Sequence, residues 1–209
     1  MRRCVVFCAG EAGPLPPGFS IREDDLLIAC DAGYRNAIRM GVIPHLLMGD
    51  FDSLDGALPD GIETVRFPVE KDDTDSMLAL REGLRRGCRS FVLLFPLGGR
   101  LDHTIANIQT LAFLQEHGAD GMLLGPDDTV RLLTGPASLS LPRRKGMTLS
   151  VFAYGCEARG VTLTGMQYPL QDAVVTDSFP IGLGNHILSP EGGISLREGR
   201  LLVIESRIN

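Results

Sequence analysis

Apolar positions divide the chain into two textures. In the first, short and mostly apolar segments at residues 3–9, 26–30, 44–48, 64–67, 91–95 and 121–124 read as strands. Three helical patterns lie among them. Residues 34–40 carry Ala37, Ile38 and Met40. Residues 73–86 carry Met77, Leu78, Leu80 and Leu84, with Asp73 or Thr74 able to cap the start. Residues 102–117 place Ile105, Ile108, Leu111, Ala112 and Leu114 on one side. Gly41, Gly87 and Gly118 stand where each pattern stops, as a helix C-terminus favours. Strands alternating with helices predict an α/β domain with a mostly parallel sheet.

From Thr129 onward the helical period disappears. Short segments at 130–133, 139–141, 148–153, 160–164, 173–176, 186–188, 193–196 and 201–204 are split by Gly and Pro. That pattern predicts an antiparallel β-sandwich or barrel. The expected boundary falls in Gly125-Pro126-Asp127-Asp128, giving an α/β domain at 1–126 and an all-β domain at 127–209.

Composition narrows the function. A net charge of −6 disfavours general binding to nucleic acid or to an anionic membrane. No apolar run approaches the roughly 20 residues of a membrane-spanning helix. Arg2-Arg3 followed by Val5-Val6-Phe7 imitates a secretory leader, but Glu11 ends the run early, so it reads as the first strand. The five cysteines, Cys4, Cys8, Cys30, Cys88 and Cys156, form no CxxC pair. Neither a zinc site nor a disulfide framework is indicated, and a reducing cytoplasm is expected.

Ligands of a parallel sheet sit outside the carboxyl ends of its strands. Polar motifs fall at those ends. Asp31 follows the second strand. Gly49-Asp50-Phe51-Asp52-Ser53 follows the third, and alternation along a strand would aim Asp50 and Asp52 the same way. Lys71-Asp72-Asp73-Thr74-Asp75 follows the fourth. Gly98-Gly99-Arg100-Leu101-Asp102-His103, with Asn107 one turn later, follows the fifth. Taken singly, each has an ordinary structural use: a helix cap, a dipole partner, a tight turn. Taken together, acids, one Lys, one Arg and a Gly-Gly pair at one sheet edge suit a divalent metal with a polyphosphate. No Walker A sequence and no GxGxxG are present. The residues leave open a pyrophosphoryl transferase, a metal-dependent phosphohydrolase, and a nucleotide-binding regulator without turnover.

On these motifs, with Cys30-Asp31-Ala32-Gly33 and Gly41-Val42-Ile43-Pro44, the sequence resembles the thiamine pyrophosphokinase family. Gly182-Leu183-Gly184-Asn185, Ile194-Ser195 and residues 199–204 extend the resemblance through the second domain. It implies a catalytic α/β domain followed by a β-sandwich domain, in a homodimer with sites shared between subunits, acting on ATP and thiamine with Mg²⁺. It further implies that Asp50, Asp52 and Asp75 hold the metal and that Asp31 lies near the attacking hydroxyl. Lys71, Asp72, Gly98, Gly99, Arg100, Asp102, His103 and Asn107 would bind ATP, and Asn185 would help hold thiamine. Some members stack thiamine on a Trp. This chain has none, so Tyr168, Phe179 or an aliphatic side chain would take that place.

Overall fold

The computed structural model describes residues 2–16, 18–51, 61–67 and 73–208. The chain divides into two compact units, Met1–Pro126 and Asp127–Asn209.

The first unit is built on a parallel sheet. Its strands are β1 (Arg3–Phe7), β2 (Leu26–Cys30), β3 (Leu46–Gly49), β4 (Glu63–Arg66), β5 (Ser90–Leu94) and β6 (Asp120–Leu124). Pairing runs β6-β5-β1-β2-β3-β4, every pair parallel. All residues of β1, β2 and β3 are buried, which explains their unbroken apolar runs: helices cover both faces. Edge strand β4 is instead mostly exposed, and its Glu63 and Arg66 discourage edge-to-edge pairing.

Helix α1 (Gly33–Arg39) contributes Ala37 to the core on the Val5, Phe7 and Leu47 face. Helices α2 (Asp75–Arg85) and α3 (Leu101–Glu116) cover the other face. There, a Cβ on Gly83 of α2 would meet Phe91 and Cys4, and one on Gly121 of β6 would meet Leu114 of α3. Thr74, not Asp73, caps α2, its hydroxyl accepting from Met77 N at 3.2 Å. The inner face of α3 differs from the predicted stripe. Asn107, Thr110, Leu111 and Leu114 are buried, whereas Ile105 is 50% exposed. Polar Asn107 and Thr110 can occupy an inner face because each finds a partner there: Asn107 bonds Pro96 O, and Thr110 donates to Asn107 O.

The order of strands matters for the site. From β1 the chain moves outward through β2, β3 and β4, then returns to place β5 on the other side of β1. The carboxyl ends of β1 and β5 therefore diverge at a topological switch point, where open α/β sheets form their crevice.

The second unit has eight strands: β7 (Asp128–Thr134), β8 (Ala137–Pro142), β9 (Met147–Ala153), β10 (Ala158–Thr164), β11 (Leu170–Val175), β12 (Gly182–Asn185), β13 (Glu191–Leu196) and β14 (Arg200–Arg207). They pair antiparallel as β12-β9-β14-β7 and β11-β10-β13-β8. Leu149, Val151, Leu201 and Val203 of one sheet share a core with Val161, Leu163, Ile194 and Leu196 of the other. The predicted strand at 186–188 is displaced: β12 ends at Asn185, and Ile187 makes only an isolated bridge to Met166. Gly184, at φ +70°, breaks the regular register on β9 and turns the chain there.

Candidate active site

Two adjoining pockets open at the carboxyl ends of β1, β2 and β5. One, of about 240 Å³, is walled by Cys30, Asp31, Thr74, Asp75, Ser76 and Ala106. The other, of about 410 Å³, is walled by Gly10, Glu11, Pro96, Gly98, Gly99 and Arg100. Cys8, Ala9, His103 and Asn107 line both.

Local geometry explains why these residues meet. Asp31 follows β2 at φ +45°, and its N–H donates to Met48 O at 2.8 Å. A Cβ on Gly49 would stand 3.0 Å from Asp31 Cβ and 3.2 Å from its Oδ1, so glycine admits the acid here. Strand β3 stops at Gly49, and Phe51 takes a left-handed backbone at φ +64°. Asp50 is therefore presented by a turn, where strand alternation was expected to aim it. Buried Phe51 anchors that turn, with the Arg66 guanidinium 5.5 Å from its ring centroid.

Asp75 opens α2, and Cys30 Sγ lies 3.4 Å from its carbonyl oxygen. Ser76 donates to Asn107 Oδ1 at 2.8 Å, and Asn107 Nδ2 donates to Pro96 O at 2.7 Å. Asn107 thus joins α2, α3 and the loop after β5. Gly98 and Gly99, at φ +86° and +68°, form the turn that carries Arg100 to the head of α3. Arg100 forks onto Asp102, with Nη2 to Oδ2 at 2.6 Å, and Asp102 Oδ1 also accepts from His103 N. The guanidinium beside it holds the Asp102 carboxyl below the usual carboxylate range. Both side chains are largely exposed, so the pair is weak and exchangeable. Cys8 is buried, and burial pushes its thiol up to about 12; it remains a neutral wall.

The structure thus gathers Asp31, Asp75, His103 and Asn107 around one pocket and Gly98, Gly99, Arg100, His103 and Asn107 around the next. Asp52, Lys71 and Asp72 lie outside the described residues. Among the described residues, no three His, Cys, Asp or Glu side chains converge as a metal cluster. Asn185 belongs to the second unit and is buried. Its Oδ1 accepts from Tyr168 N and His186 N, and its Nδ2 donates to Tyr168 O. Its amide therefore fixes the loop after β10. His45 Nδ1 accepts from Leu27 N at 3.0 Å and serves the sheet.

Sequence reasoning missed Ser76, Glu11 and the Cys8–Gly10 stretch. The available signal was the Gly/Pro loop after the first strand, with Glu11 in it, which falls at a carboxyl end like the other motifs. What gave it no weight was the strand order, which sets β1 beside β5.

Comparisons with known proteins agree in direction. The family model for the thiamin pyrophosphokinase catalytic domain matches residues 20–122. The model for the thiamin pyrophosphokinase vitamin B1 binding domain matches residues 138–201. A thiamine pyrophosphokinase of Bacillus subtilis is 27% identical over 190 residues, covering 88% of each chain. A crystal structure of thiamine pyrophosphokinase from B. subtilis superposes with a TM-score of 0.84 at 24% identity, over 100% of this chain and 99% of that one. One from Geobacillus thermodenitrificans gives 0.80 at 26% identity, over 99% and 97%.

Proposed function

The chain belongs to the thiamine pyrophosphokinase family, and on that premise we propose that its first unit moves the β,γ-pyrophosphoryl group of ATP onto the hydroxyethyl oxygen of thiamine carried by the second. The products are thiamine diphosphate and AMP. The observation that carries the reading is the pair of adjoining pockets, one walled by Asp31 and Asp75, the other by the Gly98–Gly99 turn and Arg100.

The work divides by charge. Arg100 exchanges the Asp102 carboxylate for phosphate oxygens, keeping its planar fork. The α3 N-terminus, approached closely across the glycine turn, adds free N–H groups and partial positive charge. Lys71 supplies a second cation. Asp31 stands near the attacking hydroxyl and accepts its proton. Asn107 holds α2 and α3 at the spacing the substrate needs.

Mg²⁺ fits the donor set. Asp50, Asp52 and Asp75 offer hard carboxylate oxygens, and Asp31 and Asp75 walling one pocket favour a cation between them. Bound there, the ion would neutralise polyphosphate charge. In the second unit, exposed Tyr168 and Phe179 can stack on the thiamine rings, while Asn185 acts through the loop it fixes. Exposed Ile181, Leu183 and Leu188 suit burial against a second copy, supporting a homodimer with shared sites, and the five free cysteines suit a reducing cytoplasm.

Incubation with ATP, Mg²⁺ and thiamine tests the reaction. Thiamine-dependent AMP is expected. Phosphate release without thiamine, or no product at all, would overturn it. Asp50→Asn and Asp75→Asn are expected to lower turnover by about a hundredfold or more with circular dichroism unchanged.

A further inference from the structure

Glu11 enters the sequence reading only as the residue that ends the first apolar run. The fold gives it a defined place. Just past β1, Gly10 N donates to Phe95 O at 2.9 Å and Glu11 N to Leu97 O at 3.2 Å. A Cβ on Gly10 would lie 2.4 Å from both of those carbonyl oxygens, so only glycine lets the two loops close. Closure brings Glu11 against the glycine turn. A Cβ on Gly98 would stand 3.1 Å from Glu11 Cβ and 3.4 Å from Oε2. Glu11 and Arg100 therefore share the larger pocket, joined by Gly98 and Gly99.

This places opposite charges on one binding surface. Among the described residues no ion pair or hydrogen bond engages the Glu11 carboxylate, and the neighbouring Arg100 is held by Asp102. An ionised carboxylate only accepts hydrogen bonds. It repels phosphate oxygens, so the part of ATP beside it must be neutral and rich in donors. In a nucleotide the group bonded directly to the phosphates is ribose, whose vicinal hydroxyls present two donors to the two oxygens of one carboxylate. A pocket that seats phosphate at Arg100 and the α3 N-terminus brings the sugar within reach of the adjoining wall. Acidic side chains read ribose hydroxyls in the same chemical way in dinucleotide-binding folds.

We propose that Glu11 binds the ribose hydroxyls of the nucleotide and so sets the enzyme's preference for ribonucleotides. The assignment rests on ATP being the co-substrate. The test compares kcat/KM for ATP and 2′-deoxyATP, at saturating thiamine, in wild type, Glu11→Gln and Glu11→Ala. Wild type is expected to prefer ATP by about ten- to a hundredfold, the range of a hydrogen bond to a charged group. In Glu11→Ala the ratio falls toward one, because ATP loses the contacts of both hydroxyls and 2′-deoxyATP only that of its 3′-hydroxyl. Glu11→Gln retains part of the preference through its amide oxygen, and the Mg²⁺ dependence of all three stays the same. A wild type indifferent to the 2′-hydroxyl, a Glu11→Ala variant that keeps the wild-type ratio or loses both nucleotides equally, or a shifted Mg²⁺ requirement would overturn the proposal. A wild type that forms no thiamine-dependent AMP would overturn the reaction assigned above, and this proposal with it.

Discussion

Ser76 and Asn107, on different helices, share one hydrogen bond of 2.8 Å, and Asn107 passes the constraint on through a 2.7 Å bond to Pro96 O. The link fixes the start of α2, which carries Asp75, relative to the loop that carries Arg100.

Asn107→Ala leaves the Pro96 carbonyl and the Ser76 hydroxyl without this partner and is expected to cost about 1–3 kcal/mol of stability. It also frees the two loops, so the KM for ATP should rise and kcat fall. Ser76→Ala removes only the α2 branch and should be milder on both counts. Urea unfolding with steady-state kinetics on the two variants checks the order. Equal effects would place the constraint elsewhere.

Gly49→Ala would push a methyl into Asp31, 3.0 Å from its Cβ. Turnover should drop by about tenfold or more through misplacement of the acid, with the native circular dichroism spectrum retained. An unchanged kcat would show that Asp31 needs no such close approach.

The buried pair of Arg3 and Asp25 ties β1 to the turn before β2. Arg3 Nη2 lies 2.5 Å from Asp25 Oδ2 and also donates to Ser20 O, and Arg22 N donates to the same carboxylate. Asp25→Asn strands the buried guanidinium, and a loss of about 3–5 kcal/mol is expected in denaturant unfolding. A loss below about 1 kcal/mol would mean the guanidinium finds water.

Glu82 sits between Arg85 and Arg86, whose hydrogen bonds lower its carboxyl from the ordinary 4.5 to about 2. A depressed carboxylate stabilises the fold above its unfolded value and stops doing so as pH falls through its folded one. The unfolding free energy of wild type relative to Glu82→Gln should therefore be constant above pH 5 and shrink between about pH 4.5 and 2. Exposure of the Arg85 partner keeps the advantage to about 1 kcal/mol. An advantage that persists unchanged at pH 2 would contradict the ion-pair origin.

Much of the fold was legible because burial leaves a period in the sequence. Strand β2 was expected at 26–30 and observed at Leu26–Cys30. The switch to antiparallel strands was likewise written in residue type and spacing, whereas the α2 cap was narrowed only to Asp73 or Thr74 and the fold chose Thr74. Two readings failed for a common reason. Ile105 was assigned inward by hydrophobicity, yet the inner face of α3 there carries His103 and Asn107 toward the pockets. Residues 186–188 were read as a strand from their apolar character, yet the Asn185 side chain takes the neighbouring N–H groups and Gly184 turns the chain. Satisfied polar groups overrode apolar pattern in both places.

By itself the sequence determined most of the elements, the change of texture near Gly125 and the fall of the acidic and Gly-Gly-Arg motifs at strand ends, since each depends on local spacing and residue type. Tertiary structure decided which loops meet. Strand β5 pairs beside β1, so Gly10 and Glu11 face Gly98 and Arg100 across a sequence separation no local pattern encodes. It also decided that Asn185 turns inward, because three backbone polar groups and the Met166 sulfur sit around its buried amide. Pairing order and the satisfaction of buried polar groups are properties of the whole chain, settled only when distant backbone segments compete for the same hydrogen bonds.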